Sequence, residues 1–338
     1  MSVEPKSKPQ ARASRAESEQ GRHRLRMDRF RKILVGVQLV AKGEKVSLAS
    51  QKAVEQAIWV ARHWQGEVTL LHSIWKADSE DHGLSRIEVM DERVPEAGRR
   101  ALQDLIERCT TAGVGCQLKL VSERAWLSII QSALRHDADL VIVGKRERDK
   151  GERRLGSTAF KLLRKCPCPV WAVRPEHDLA HKLVLAATDL SSVGDWAVRW
   201  AAQLASVGEG EMHVVHAYRI PTELSAAASD LSEEEYATRI DAIRSNAQQL
   251  IQAPLEGLEM SSEPVLHIGR NKGSVAIREA VEHLQPDLLV MGTITRGGIP
   301  GFLVGTTAEQ LLGQLDCSVL GVKPADFISP VAIEQLSD

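Results

Sequence analysis

Sliding the 338-residue chain along itself brings two pairs of segments into register. AVEQAIWVARHWQGEVTLLHS, starting at Ala53, overlays AVRWAAQLASVGEGEMHVVHA, starting at Ala197, so that Gly66 meets Gly210, Glu67 meets Glu211 and His72 meets His216 at a shift of 144. Further on, DLVIVGKRERDKGERRLGSTAFKLLRKCPCPVWAVRP from Asp139 overlays DLLVMGTITRGGIPGFLVGTTAEQLLGQLDCSVLGVKP from Asp287. Gly144 there meets Gly292 at a shift of 148, and Gly156, Ala159, Cys168 and Pro175 meet Gly305, Ala308, Cys317 and Pro324 at 149. A period of this size is that of a domain, not of a solenoid repeat. The chain is therefore a duplication, and any fold assigned to one half must serve for the other.

Each half alternates short apolar or β-branched runs with helical patterns. In the first, the pattern predicts strands at 32–38, 67–74, 116–122, 139–143 and 169–174, with helices at 47–65, 86–112, 125–136 and 157–165. The second reads the same way, with strands at 183–188, 211–217, 259–267, 287–291 and 318–323 and helices at 191–207, 232–253, 273–284 and 306–315. Strands separated by helices of this length need crossover connections, and LVIV and LLVM are continuously apolar, as strands covered on both faces must be. The expected class is α/β, two tandem doubly wound domains, each a five-stranded parallel sheet with helices on both faces. The boundaries expected are a disordered basic extension over 1–28, domains over 29–176 and 180–325, and a tail over 326–338.

Charge and cysteine usage narrow the class of function. The formal net charge of -2 conceals nine Lys/Arg against four acids in residues 1–31. The remainder is acidic, which argues against nucleic-acid binding by the folded part. The polar, basic start is expected to be disordered, and Met27 is an alternative first residue. Five cysteines without zinc-ligand spacing point to reduced thiols, not a disulfide framework. No apolar run reaches the roughly 18–20 residues of a membrane span and no signal-peptide core is present, so a cytoplasmic location is expected.

The ligand crevice of such a domain opens at the carboxyl ends of its strands, near the reversal of strand order. In the second half, Asp189 ends the first strand (LAATDLSS), Ala217 ends the second (VVHAY), and Gly292 ends the fourth. There the loop GTITRGGIPGFLVGTTAEQ leads to Gly305-Thr306-Thr307 at a helix start, where free backbone N–H groups, the helix dipole and hydroxyls favour an anion. Asp189 suits two compatible roles, accepting hydrogen bonds from ribose hydroxyls or capping the helix that begins near Ser191.

Taken together, these residues resemble the universal stress protein family, whose ATP-binding members carry G-x2-G-x9-G-[ST] after the fourth strand and an Asp after the first. Two such domains in one chain look like its tandem E-type members, related to the adenine-nucleotide α-hydrolase-like fold. The resemblance covers residues 29–325. It implies a stress-response protein that binds ATP, with AMP or ADP as alternatives and Mg only as the nucleotide counterion. That protein would act as a ligand-dependent regulatory or protective module and not as an enzyme, beyond weak ATP hydrolysis. Carried over by position, the cofactor-binding residues are Ala187, Asp189, Ala217, Met291, Gly292, Thr295, Arg296, Gly305, Thr306 and Thr307, with no catalytic and no metal-binding residue. The second family glycine falls at Thr295, a β-branched residue that disfavours positive φ, while Arg296 offers charge to a phosphate. The other reading is an interaction or hydrophobic-ligand module in which both nucleotide sites have decayed.

The first half departs further from the family. Gln38 stands where Asp189 does, Glu147 occupies the second glycine position, and about seven extra residues follow the first strand (LVAKGEKVSLASQ). It is expected to bind nucleotide poorly or not at all. Its loop is basic through Lys145, Arg146, Arg148, Lys150, Arg153 and Arg154, and reads as a solvated charged loop. The resemblance also implies that the fused copies form an intramolecular pseudo-dimer through their fifth strands, with a further homodimer open and the protein partners unknown. His72 and His216 are read as fixing the crevice and not as catalytic groups, and Cys166-Pro-Cys168-Pro as a structural turn. Trp59, Trp64, Trp196 and Trp200 are assigned to a buried helix face or domain interface.

Overall fold

The computed structural model describes residues 29–75, 93–145, 155–176, 179, 181–226, 229–294, 306–312 and 314–331. Glu147, the rest of the basic loop over 146–154, and Thr295, Arg296 and Gly305 lie outside them.

The first half contributes β1 (Lys32–Val37), a two-stranded ribbon of β2 (Leu39–Val40) and β3 (Lys45–Val46), α1 (Leu48–Trp64), β4 (Glu67–Ser73), α2 (Glu96–Thr111), β5 (Gly115–Val121), α3 (Ala125–Arg135), β6 (Leu140–Gly144), α4 (Ser157–Lys165) and β7 (Val170–Val173). The second contributes β8 (Leu183–Thr188), α5 (Ser192–Val207), β9 (Glu211–Tyr218), α6 (Thr222–Ala226), α7 (Glu233–Gln252), β10 (Val265–Arg270), α8 (Gly273–Leu284), β11 (Leu288–Gly292), α9 (Thr306–Leu311) and β12 (Ser318–Val322). In the main sheet both halves order their strands third, second, first, fourth, fifth, with every pairing parallel inside a half, while the β2–β3 ribbon is a separate antiparallel pair. Two apolar cores lie on opposite faces of the sheet. One is built on α1, α2 and α5, the other on α3, α4, α8 and α9.

A repeated aspartate sets the register of each half. Asp139 Oδ2 accepts from the backbone N–H groups of Arg31 (3.1 Å) and Lys32 (2.9 Å). Asp287 Oδ2 does the same for Lys182 (2.8 Å) and Leu183 (3.0 Å). Each carboxylate thus ties the start of the first strand to the start of the fourth through charge-assisted bonds.

The sequence anticipated two five-stranded sheets; the chain builds one of ten strands, because β7 and β12 pair antiparallel with Leu320 opposite Trp171. Phe30 of the first half stacks on Trp200 of the second with centroids 3.8 Å apart, and Trp64 packs edge-on against both. Trp64 and Trp200 therefore occupy a domain interface. Trp59 and Trp196 are half-buried against the same core. The chain after β12 also returns to the first half, where Ser329 Oγ donates to Lys165 O (2.7 Å).

Two buried lysines bridge the halves. Lys145, at the end of β6, donates to the backbone oxygens of Leu315 and of Cys317, the latter at 3.2 Å. Lys323, just past β12, donates to Leu163 O in α4 and to Thr293 Oγ1 (2.7 Å). The expected solvated loop is thus corrected at its first residue: Lys145 is 4% exposed. Backbone carbonyls at the junction would lose water without a donor, and the lysines supply one.

Other boundaries shift for local reasons. Pro95 stands at the N-cap of α2 in place of an interior position, since inside a helix its ring would clash with the preceding turn. The third strand of the second half begins at Val265 instead of 259. Leu258 and Met260 pack on the core from a loop, and Pro264 has no N–H for a ladder. α9 ends at Leu311, short of the expected 315, in a chain whose Gly313 is a weak helix former. The extra residues after β1 form the β2–β3 ribbon, turned through left-handed Ala41, Lys42 and Gly43.

Burial holds the Lys323 amine down at about 7, against about 10.4 for a solvated lysine. Between these values the unfolded chain binds the proton and the folded chain does not, so this group makes stability rise with pH. Its cost is fully present below pH 7 and gone above about 10.5. Urea midpoints measured from pH 6 to pH 10 should climb more steeply for the wild type than for Lys323→Met; equal slopes would remove Lys323 as the source. Glycines at the ends of the fourth strands give a second expectation. A Cβ on Gly144 would lie 2.4 Å from the backbone oxygen of Ala49, whereas one on Gly292 meets only the Val193 side chain at 2.9 Å. Gly144→Ala should destabilise by roughly 1–3 kcal/mol, and more than Gly292→Ala, in thermal melts.

Candidate functional site

In the second half the strand order reverses between β8 and β11, and a cleft opens at their carboxyl ends. Its floor is the ends of three strands: Ala187 and Thr188 on β8, Val215 and Ala217 on β9, Met291 and Gly292 on β11. α5 supplies one wall through Val193 and Gly194, and α8 the other through Gly273, Ala276 and Ile277. Ala308 of α9 closes one corner.

Asp189 sits at the lip, exposed, directly after β8. Its Oδ1 accepts from Ser191 N–H at 3.0 Å, a local turn that fixes the carboxylate. The cap of α5 is Ser191, whose hydroxyl accepts from Gly194 N–H at 3.1 Å. The capping role considered for Asp189 is therefore taken two residues later, and the carboxylate orders the turn before it. Leu190 between them is left-handed, with φ of 59°. This is a conformation unusual for a branched apolar residue, held here by its N–H bond to Thr188 Oγ1 (3.0 Å).

The two matched histidines fix the strand ends. His216 Nδ1 lies 3.0 Å from Thr188 O, and His72 Nδ1 lies 3.1 Å from Val37 O. Burial pushes the His72 pKa down, so its ring is neutral and donates to the carbonyl.

Of the residues assigned from sequence, Ala187, Asp189, Ala217, Met291 and Gly292 come together on this cleft. Thr306 and Thr307 open α9 immediately before the lining residue Ala308. Gly292 has a packing duty besides any ligand contact, because a Cβ there would press on Val193. The α8 wall was missed in the sequence. Its signal was KGSVAI at the helix start, with small residues at Gly273 and Ala276 that leave the cleft open. Among the described residues, no cluster of three or more His, Cys, Asp or Glu is placed to hold a metal ion. None of their helices is long and apolar enough to cross a membrane.

The first half has a corresponding cleft of different character. Gln38 takes the place of Asp189 and Gly156, Ser157 and Thr158 open α4 beside it. Its volume is about 760 Å³ against about 140 Å³ in the second half. Cys166 and Cys168, near the other end of α4, are buried free thiols with sulfurs 3.6 Å apart.

Comparison with known proteins agrees with this architecture. The universal stress protein family profile matches residues 29–174 and again 181–323. Universal stress protein E of Escherichia coli K12 is 31% identical over 237 residues, covering 67% of this chain and 74% of its own. A universal stress protein E homolog from Haemophilus influenzae is 27% identical over 304 residues, covering 81% and 94%. Among solved structures, a functionally unknown protein from Pseudomonas aeruginosa PAO1 superposes with a TM-score of 0.66 at 23% identity, covering 89% of this chain and 95% of that one, and so shares the fold. With two matched segments end to end, each folded into the same five-stranded half, the chain belongs to the universal stress protein family as a tandem, E-like member.

Proposed function

We propose that the second domain binds an adenine nucleotide in the cleft between β8 and β11, in the manner of the doubly wound adenine-nucleotide α-hydrolase-like folds. The carrying observation is the placement of Asp189. A carboxylate pinned by its own turn stands at the lip of a cleft whose interior is small and apolar. Such a carboxylate accepts bonds from ribose hydroxyls, while Val215, Ile277 and Met291 offer an apolar bed for a flat base.

ATP is the leading ligand, with ADP and AMP using the same base and ribose positions and Mg²⁺ entering only with the phosphates. The phosphate side is assigned on the sequence pattern of Gly292, Thr295, Arg296, Gly305, Thr306 and Thr307. Among the described residues that line the cleft, Asp189 is turned to its own loop and no nucleophile is hydrogen-bonded to a general base, which supports reading the domain as a ligand-responsive module with at most slow ATP hydrolysis. A nucleotide that binds one conformation better than another shifts the population toward it, and this is how occupancy would be reported to a partner in a stress response. A cytoplasmic setting suits that role.

Calorimetry with ATP tests the proposal. Wild type should bind in the micromolar range, and Asp189→Ala should bind at least about tenfold more weakly, a loss of about 1.4 kcal/mol. Asp189→Asn, which keeps an acceptor for Ser191 N–H, separates lost charge from a lost turn. Absence of saturable heat with wild type would replace the nucleotide by the interaction-module reading. Turnover near 1 s⁻¹ or faster would make the protein an enzyme.

A further inference from the structure

The cleft of the first domain has a chemistry of its own. Among the described residues six large apolar side chains are exposed, and three of these, Val40 (39%), Leu48 (60%) and Trp75 (36%), border this one cleft. They reach it from separate parts of the chain: the β2–β3 ribbon that the second domain lacks, the first turn of α1, and the end of β4. Exposed apolar residues scattered singly need no explanation, but a group of them around a concavity marks a binding surface.

The polar part of the cleft is cationic. Arg124 and Lys161 line it, and among the described residues that line it there is no carboxylate. Gln38 is uncharged where the second domain has Asp189, and burial lowers the pKa of His72. The cations are positioned by aromatic faces, with the Arg124 guanidinium 5.1 Å over Trp75 and the Lys161 ammonium 5.1 Å over Trp126. Among the described residues the buried indole N–H of Trp126 has no hydrogen-bond partner. The same wall carries the start of α4, a nine-residue helix whose N-cap Gly156 provides no side-chain acceptor for the first-turn N–H groups.

We propose that the first domain binds an amphipathic monoanion, a hydrocarbon chain or aryl body ending in a carboxylate. The head group lies toward Lys161 and the α4 N-terminus, and the body lies along Leu48, Val40 and Trp75. A nucleotide fits this cleft less well, because a polar sugar would meet that apolar border and the ribose-binding carboxylate is replaced by Gln38. The proposal is independent of nucleotide binding by the second domain.

Dodecanoate, titrated into the full chain by calorimetry with dodecanol as the neutral control, tests the assignment. Saturable one-to-one binding is expected for the acid, at least about tenfold tighter than for the alcohol. Trp75→Ala and Lys161→Ala should each weaken it by a comparable factor, whereas Asp189→Ala should leave it unchanged. Trp75 and Lys161 lie outside the fully buried core, and coincident thermal melts would verify that the variants fold. Lack of saturable binding, binding indifferent to both cleft variants, or displacement of dodecanoate by ATP in the Asp189→Ala protein would each overturn the proposal. The ATP titration of wild type against Asp189→Ala reads the second domain separately, so either reading can fail alone.

Discussion

The antiparallel pairing of β7 with β12 is the contact on which the rest of the structure depends. Each half would otherwise end in an exposed edge strand whose residues are all buried in the joined sheet, VWAV in one and SVLGV in the other, and such edges invite association with other chains. Joining them removes both edges at once and leaves β5 and β10 as the outer strands, which are far less buried. The junction is closed by groups that neither half could use alone. Phe30 needs Trp200, Lys145 needs the carbonyls of Leu315 and Cys317, and Lys323 needs that of Leu163. Arg174 adds its N–H bond to Ser318 Oγ (3.0 Å) and an ion pair with Asp316 (3.1 Å).

Duplication has allowed the two clefts to part. The framework is shared at key positions, as the matched roles of Asp139 and Asp287 or His72 and His216 show. What differs is what the framework presents. One cleft is narrow and carries Asp189 at its lip; the other is wide, has lost the carboxylate, and is bordered by a ribbon absent from its twin.

Much of this was legible in the sequence because central parallel strands must be apolar throughout. LVIV and LLVM, short and continuously apolar, support such strands, and they recur at the period of the duplication. Edge strands carry a weaker signal, so the strand expected from 259 begins only at Val265. Asp189 was found because a carboxylate at a strand end is conspicuous; the α8 wall was not, since Gly273 and Ala276 matter by being small. Lys145 was misread for a related reason. A lysine in a basic run looks solvated, and only the opposite half of the molecule supplies the carbonyls that bury it.

Because strands run parallel inside each half and antiparallel across the junction, the carboxyl ends of the two sets point in opposite directions. The two clefts consequently open on opposite rims of one continuous sheet. Ligands held at the two sets of strand ends would lie on opposite sides of the sheet, and a partner docked on one rim would meet only one of them. The sheet and the contacts beside its junction connect the two sites. The route available is a short one: Gly292 lines the cleft of the second half, and its neighbour Thr293 holds the lysine that grips the first.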